Sequence, residues 1–174
     1  ERIKLIAEIG VNHNGKMSIA KKLIKKASMA GADYAKFQIF KADNLATKKS
    51  KKANYQNINL NRKISQYDML KTYEISKNQI KILNDYCFKH KIKFLASCFD
   101  LESLKLYSSF NNKCVKIPSG EITNFPYLVH IASKNKPVIM STGMSSIDEV
   151  KEAVDVLLKA GLQKDQITLL QCCT

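Results

Sequence analysis

Tyr34-Ala35-Lys36-Phe37-Gln38-Ile39-Phe40 is the stretch on which the fold turns. It is short and apolar except for Lys36 and Gln38. Side chains alternate along a strand, so those two point to one side while Ala35 and Phe37 point to the other, toward covering helices. A lysine in the middle of an apolar strand is costly unless an anion or a carboxylate pairs with it. Five further runs have the same character: residues 4–9, 92–99, 114–117, 137–141 and 167–172. Short apolar runs of this kind belong to parallel sheets covered on both faces.

Between the strands lie amphipathic stretches. Ile19, Leu23, Ile24, Ala27 and Ala30 share a helical face, with Ser18 as the expected N-cap and Gly31 as the stop. Ile80, Leu83 and Cys87 repeat the pattern after Ser76, and Gln79 completes a capping box. A third helix is expected from Asp100, a fourth over about residues 125–133, and a fifth behind a Ser146/Glu149 capping box, ended by Gly161. Strand and helix thus alternate six times, with the sixth helix missing, which predicts a parallel sheet with right-handed crossovers. An open doubly wound sheet and a (β/α)₈ barrel both fit. No GxGxxG follows the first strand and no Walker loop is present. Polar residues recur instead at the C-terminal ends of strands, where barrel active sites lie. The expected fold is therefore α/β, a (β/α)₈ TIM barrel of which this chain holds about six strands and five helices.

The chain has 174 residues, 45% of them hydrophobic, enough for a single soluble domain with a real core. No run of about 20 apolar residues marks a membrane span, and no signal peptide is recognised. Cys87, Cys98, Cys114, Cys172 and Cys173 form no CxxC pair, which predicts buried structural thiols in a reduced, cytoplasmic setting. The formal charge of +14 raises nucleic acid as a partner. The lysines, however, run the whole length of the chain without an RNA- or DNA-binding motif, so neither nucleic acid nor membrane is expected as a partner. The connection from Lys41 to about Tyr73 is unusually long and carries Lys48-Lys49-Ser50-Lys51-Lys52, either a solvated loop tip or an anion-collecting lid.

The strand ends hold Glu8, Lys36 with Gln38, Ser97, Lys116 with Ser119 and Glu121, and Ser141. Lys36 and Lys116 would converge inside a barrel, and lysines, serine hydroxyls and backbone N–H groups together suit a phosphorylated, carboxylated small molecule. Each residue alone also has a plainer reading. Glu8 can be a structural partner of Lys36 or Lys116. Gln38 can satisfy core backbone groups, and Ser97 and Ser141 can be small strand-end residues. His13, at the turn Asn12-His13-Asn14-Gly15, can be a hydrogen-bonding residue rather than a metal ligand.

Taken jointly, these motifs resemble the sialic acid synthase family. The resemblance rests on Ile6-Ala7-Glu8-Ile9-Gly10-Val11-Asn12-His13-Asn14-Gly15, on Lys36-Phe37-Gln38-Ile39-Phe40-Lys41-Ala42-Asp43, on Ala53-Asn54-Tyr55-Gln56 with Ser65-Gln66-Tyr67-Asp68-Met69, on Lys116-Ile117-Pro118-Ser119-Gly120-Glu121, and on Ser141-Thr142-Gly143-Met144. It implies condensation of phosphoenolpyruvate with an N-acyl amino sugar, N-acetylmannosamine first, to give a sialic acid and phosphate. Legionaminic or pseudaminic acid synthases are the near alternatives, and the Tyr55-Gln56 loop favours the neuraminate or legionaminate type. A 3-deoxy-sugar-acid synthase acting on a phosphorylated aldose is a more distant one. By the resemblance, Lys36, Ser97, Lys116, Ser119 and Ser141 would hold phosphoenolpyruvate, while Glu8, Gln38 and Glu121 would face the sugar and the reacting carbons. Glu121 and Glu8 are the catalytic candidates, with Glu121 moving a proton of the attacking water. A divalent metal (Mn or Mg) polarising the aldehyde, a homodimer and a cytoplasmic enzyme are implied for the complete protein.

Two local departures stand out. The family commonly has Ser-Thr-Pro-Phe where this chain has Ala96-Ser97-Cys98-Phe99, and the sixth strand ends in Gln171-Cys172-Cys173-Thr174. Residues 1–174 are read as the N-terminal part of a synthase barrel, without the family's two metal-binding histidines, its last two strands or its C-terminal antifreeze-like domain. No metal ligand is therefore expected in this chain. A non-catalytic truncated or split-enzyme fragment is the alternative of another class.

Overall fold

The computed structural model describes residues 2–47 and 65–173. They group into two compact units, residues 1–94 and 95–174. The first contains β1 (Ile6–Gly10), α1 (Met17–Met29), β2 (Tyr34–Ile39), α2 (Ala42–Leu45), α3 (Gln66–Tyr73) and α4 (Lys77–Lys89). Strand β3 (Lys93–Cys98) crosses the boundary. The second unit holds α5 (Leu101–Ser108), β4 (Val115–Ile117), a 3₁₀ turn (Ser119–Glu121), α6 (Phe125–Ala132), β5 (Val138–Ser141), α7 (Ile147–Lys159), a 3₁₀ turn (Lys164–Gln166) and β6 (Ile167–Leu170).

The sheet order is β1-β2-β3-β4-β5-β6, and the pairs β1·β2, β3·β4, β4·β5 and β5·β6 are all parallel. A doubly wound sheet reverses its strand order at a switch point. An order that follows the chain without reversal is that of a (β/α)₈ barrel. The fold is an incomplete (β/α)₈ barrel of six parallel strands.

In the first unit Phe37 is fully buried and stacks on Phe94 at 5.3 Å between ring centroids. Ile24, Ile80 and Leu83 are buried without residual exposure, and the Ser28 hydroxyl donates to the His90 carbonyl at 2.7 Å. In the second unit Tyr107, Tyr127, Leu128, Ile131 and Leu157 are among the fully buried residues. The Tyr107 hydroxyl donates to the Cys114 carbonyl at 3.2 Å, so the ring is buried without leaving its polar end unsatisfied.

The helices start where local chemistry provides a cap. Both predicted capping boxes are present, at Ser76/Gln79 and Ser146/Glu149. Asp100 caps α5, its carboxylate accepting from the Ser103 backbone N–H at 2.8 Å and the Ser103 hydroxyl at 2.7 Å. Ser18, in contrast, is not a cap. Helix α1 begins at Met17 after an extended Lys16 that has no side-chain cap bond, because the turn before it ends only at Gly15. Replacing Ser76 by Ala should cost about 1 kcal/mol, since it strands the Gln79 N–H that Ser76 Oγ accepts at 3.3 Å. Urea denaturation reads this directly, and a change below a few tenths would show the box to be energetically idle.

Two helices were not foreseen. Both α2 and α3 lie in the long connection after β2, and they are clasped together. The Ala42 N–H donates to Glu74 Oε1 at 2.7 Å and the Tyr67 hydroxyl to Asp43 Oδ1 at 2.6 Å. Lys71 reaches Glu74 at 3.0 Å and Asp43 at 3.3 Å. The Lys48–Lys52 run and the Tyr55-Gln56 motif lie outside the described residues.

Cys87, Cys98 and Cys114 are buried as expected, and burial pushes the Cys87 thiol up to about 12. Cys172 is only half-buried and Cys173 is exposed, which corrects the expectation for those two. Among the described residues no helix is long and apolar enough to cross a membrane.

Candidate active site

At the C-terminal end of β1 the register with β2 slips. Ile6, Ala7 and Glu8 face Tyr34, Ala35 and Lys36, and then Gly10 faces Phe37. Glu8 and Lys36 are therefore lateral neighbours, and Lys36 Nζ lies 2.5 Å from Glu8 Oε2. Of the two lysines left open by the sequence, Lys36 is the partner of Glu8. Its side chain is 12% exposed against 52% for Glu8, so the pair is rooted in the sheet and opens at the carboxylate. Gly10 has φ +54°, and a Cβ there would lie 3.0 Å from Glu8 Oε1 and 3.8 Å from Gln38 Nε2. The absent side chain leaves the space that the Glu8 carboxylate and the Gln38 amide border.

His13 sits in the turn that follows. It is 3% exposed, and its Nδ1 accepts from the Gly15 N–H at 3.1 Å. That contact requires a neutral imidazole protonated at Nε2, an atom that is buried without a partner. Burial lowers the His13 pKa below its ordinary value of 6.5. The unfolded chain then binds the proton more readily, so this contribution to stability is complete above pH 6.5 and is lost as pH falls below it. His130 is lowered too, by burial and then by Lys134 and Lys105, and it acts in the same sense. Melting temperature should therefore drop between pH 6.5 and 5, and His13→Asn should flatten the drop in part. An unchanged slope in that variant would remove His13 from the account.

In the second unit Ser97 of β3 faces Lys116 of β4, and Lys116 faces Ile139 of β5. Ser141, two residues beyond Ile139, points to the same side. The opposite side, with Val115, Ile117, Val138 and Met140, is buried. Lys116 is only 4% exposed and Ser97 2%. Lys116 Nζ donates to Ser141 Oγ at 2.5 Å and to the Ile117 carbonyl at 2.8 Å. A lysine ammonium at a strand end is a donor suited to an anionic ligand.

Ser119 and Glu121 occupy the 3₁₀ turn directly after β4, and Glu121 Oε2 accepts from Asn124 Nδ2 at 2.6 Å. Asn124, the N-cap of α6, had gone unremarked in the sequence, although an Asn ahead of Phe125-Pro126 is a helix-start signal. Tyr127 was missed as well. It is fully buried, and its hydroxyl donates to the Cys98 carbonyl at 2.7 Å, fixing the end of β3 at the position where the related motif carries proline.

The structure thus brings Glu8, Lys36 and Gln38 together in the first unit and Lys116, Ser141 and Ser97 together in the second, with Ser119 and Glu121 on the turn that follows Lys116. Among the described residues no group of three or more His, Cys, Asp or Glu side chains is placed to hold a metal ion.

Parallel βα units in chain order, with Lys36, Lys116 and Ser141 at or near the strand ends, define a protein of the (β/α)₈ barrel class. The chain belongs to the NeuB family, whose model matches residues 23–174. It is 48% identical, over 98% of its length, to an N,N'-diacetyllegionaminic acid synthase of Campylobacter jejuni and 44% identical, over 97%, to one of Legionella pneumophila. It covers 51% and 48% of those proteins, so the chain spans about half the length of the curated relatives it matches. In three dimensions it is similar to an N-acetylneuraminic acid synthetase of Leptospira borgpetersenii solved in complex with citrate. The TM-score is 0.83 at 28% identity, over all of this chain and 55% of the other.

Proposed function

We propose that the whole protein condenses phosphoenolpyruvate with an N-acyl amino sugar, giving a sialic-acid-type sugar acid and inorganic phosphate. The observation that carries this reading is Lys116: a buried ammonium on the Ser141 hydroxyl, with Ser97 beside it in the sheet. Lys116, Ser97, Ser119 and Ser141 bind the phosphate and carboxylate of phosphoenolpyruvate together with Lys36, whose charge Glu8 orients. Gln38 and Glu8 face the acceptor. Glu121 takes a proton from the water that adds to the oxocarbenium carbon, after the enol carbon has attacked the sugar aldehyde. The fixed positive charge of the two lysines offsets the charge that moves during these steps. The divalent metal implied by the family resemblance has no ligand set among the described residues. No step is therefore routed through it.

For the acceptor, the sequence ranks N-acetylmannosamine first. The names of the Campylobacter jejuni and Legionella pneumophila relatives support the diacetyllegionaminate precursor instead. Incubating the full-length protein with phosphoenolpyruvate and a panel of N-acyl amino sugars decides both questions. Phosphate release with formation of a sugar acid, seen by mass spectrometry and fastest with the legionaminate precursor, is expected. No phosphate release with any member of the panel would overturn the proposal, and preference for N-acetylmannosamine would return the acceptor to the neuraminate type.

A further inference from the structure

We infer that Asn124 is a positioning residue that holds the Glu121 carboxylate in place through its side-chain amide. The inference rests on the proton-transfer role proposed for Glu121.

Three backbone turns, Glu121 N–H to Pro118 O, Ile122 N–H to Ser119 O and Asn124 N–H to Glu121 O, at 3.0, 3.2 and 3.0 Å, bring residues 121 and 124 around to one side. Asn124 Oδ1 accepts from the Tyr127 N–H at 3.3 Å as the N-cap of α6. That bond decides which way the amide faces: the oxygen is committed to the helix, so the NH₂ group points away from it. The NH₂ meets Glu121 Oε2 at 2.6 Å. The helix start is itself fixed. Pro126 stands in the first turn, where its missing N–H costs nothing. One residue further, the buried Tyr127 hydroxyl ties the same turn to the Cys98 carbonyl, next to Ser97. Capping alone requires only an acceptor, which Ser, Thr or Asp supplies as well. Of the favoured N-cap side chains, asparagine is the one that also carries an NH₂ donor. Here that donor is spent on the carboxylate assigned to the chemistry.

This separates the two tasks of Asn124 experimentally. Asn124→Asp keeps the capping oxygen and replaces the donor with a second carboxylate oxygen facing Glu121. Asn124→Ser caps without charge and without an NH₂. In the full-length protein, both variants should melt within a degree or two of the parent and keep its KM for phosphoenolpyruvate. Both should lose kcat by roughly tenfold or more, the scale of one hydrogen bond to a charged group. Glu121→Gln is the reference. If it loses kcat while both Asn124 variants retain it, the positioning role is wrong and the proposed function stands. If Glu121→Gln itself keeps the parent kcat, the role of Glu121 falls and this inference with it. A melting temperature that drops in step with kcat in both Asn124 variants would reduce Asn124 to a cap.

Discussion

Replacing Lys116 by Met is expected to weaken phosphoenolpyruvate binding by about 1.5–3 kcal/mol, roughly 10- to 150-fold, in a protein that still folds. Lys116 is buried, and its ammonium group donates to a hydroxyl, Ser141 Oγ, and to the Ile117 carbonyl. Burying an ammonium group costs several kcal/mol, a cost that a neutral side chain does not carry. Methionine fills a similar volume and removes the charge. The Ser141 hydroxyl can turn to another acceptor, and the Ile117 carbonyl loses a bond worth about 1 kcal/mol. A residue kept for stability would show the opposite pattern, with a collapsed melting temperature and affinity lost only through unfolding. Titration calorimetry on the full-length protein, paired with thermal melts, separates the cases. Unchanged affinity would reject Lys116 as a ligand.

The largest effect on stability is expected at Phe37. Phe37→Ala should cost about 3–5 kcal/mol, the range for truncating a fully buried aromatic residue. The ring is 0% exposed, stacks on Phe94, and lies 6.1 Å from the His13 ring. Its loss opens a cavity behind the strand whose other face carries Lys36 and Gln38. Urea unfolding measures it, and a change under 1 kcal/mol would mean that the surroundings close over the gap.

What could be read from the sequence followed from how local each signal is. The six strands were legible because each is a short apolar run, and their ends moved by no more than two residues. Ser76, Asp100 and Ser146 were legible because a cap and its target lie three residues apart. Ser18 failed for a related reason: a good capping residue close to a helix start says nothing about the turn at His13–Gly15 that sets where the helix begins. Helices α2 and α3 were invisible because one is four residues long and both are held by contacts with each other rather than by a regular apolar stripe.

The site was legible as a set of residue types, not as a set of pairings. Glu8 could have served either lysine until the β1·β2 register placed it against Lys36. The Lys116–Ser141 bond joins residues 25 apart, and only the β4·β5 register discloses it. Asn124 left a visible signal that was spent on the helix start, with its second bond hidden in the geometry of the preceding turn.

A strand order that simply follows the chain has a consequence for synthesis on the ribosome. Each new strand emerges when the partner it will bond to has already been made, one βα unit earlier. Closing such short spans is entropically mild, because the penalty grows only with the logarithm of the loop, and contacts near in sequence form quickly. From β2 to β6, every strand finds its first partner already made. Assembly can advance with the growing chain, and at any moment two edges are left waiting, that of β1 and that of the newest strand.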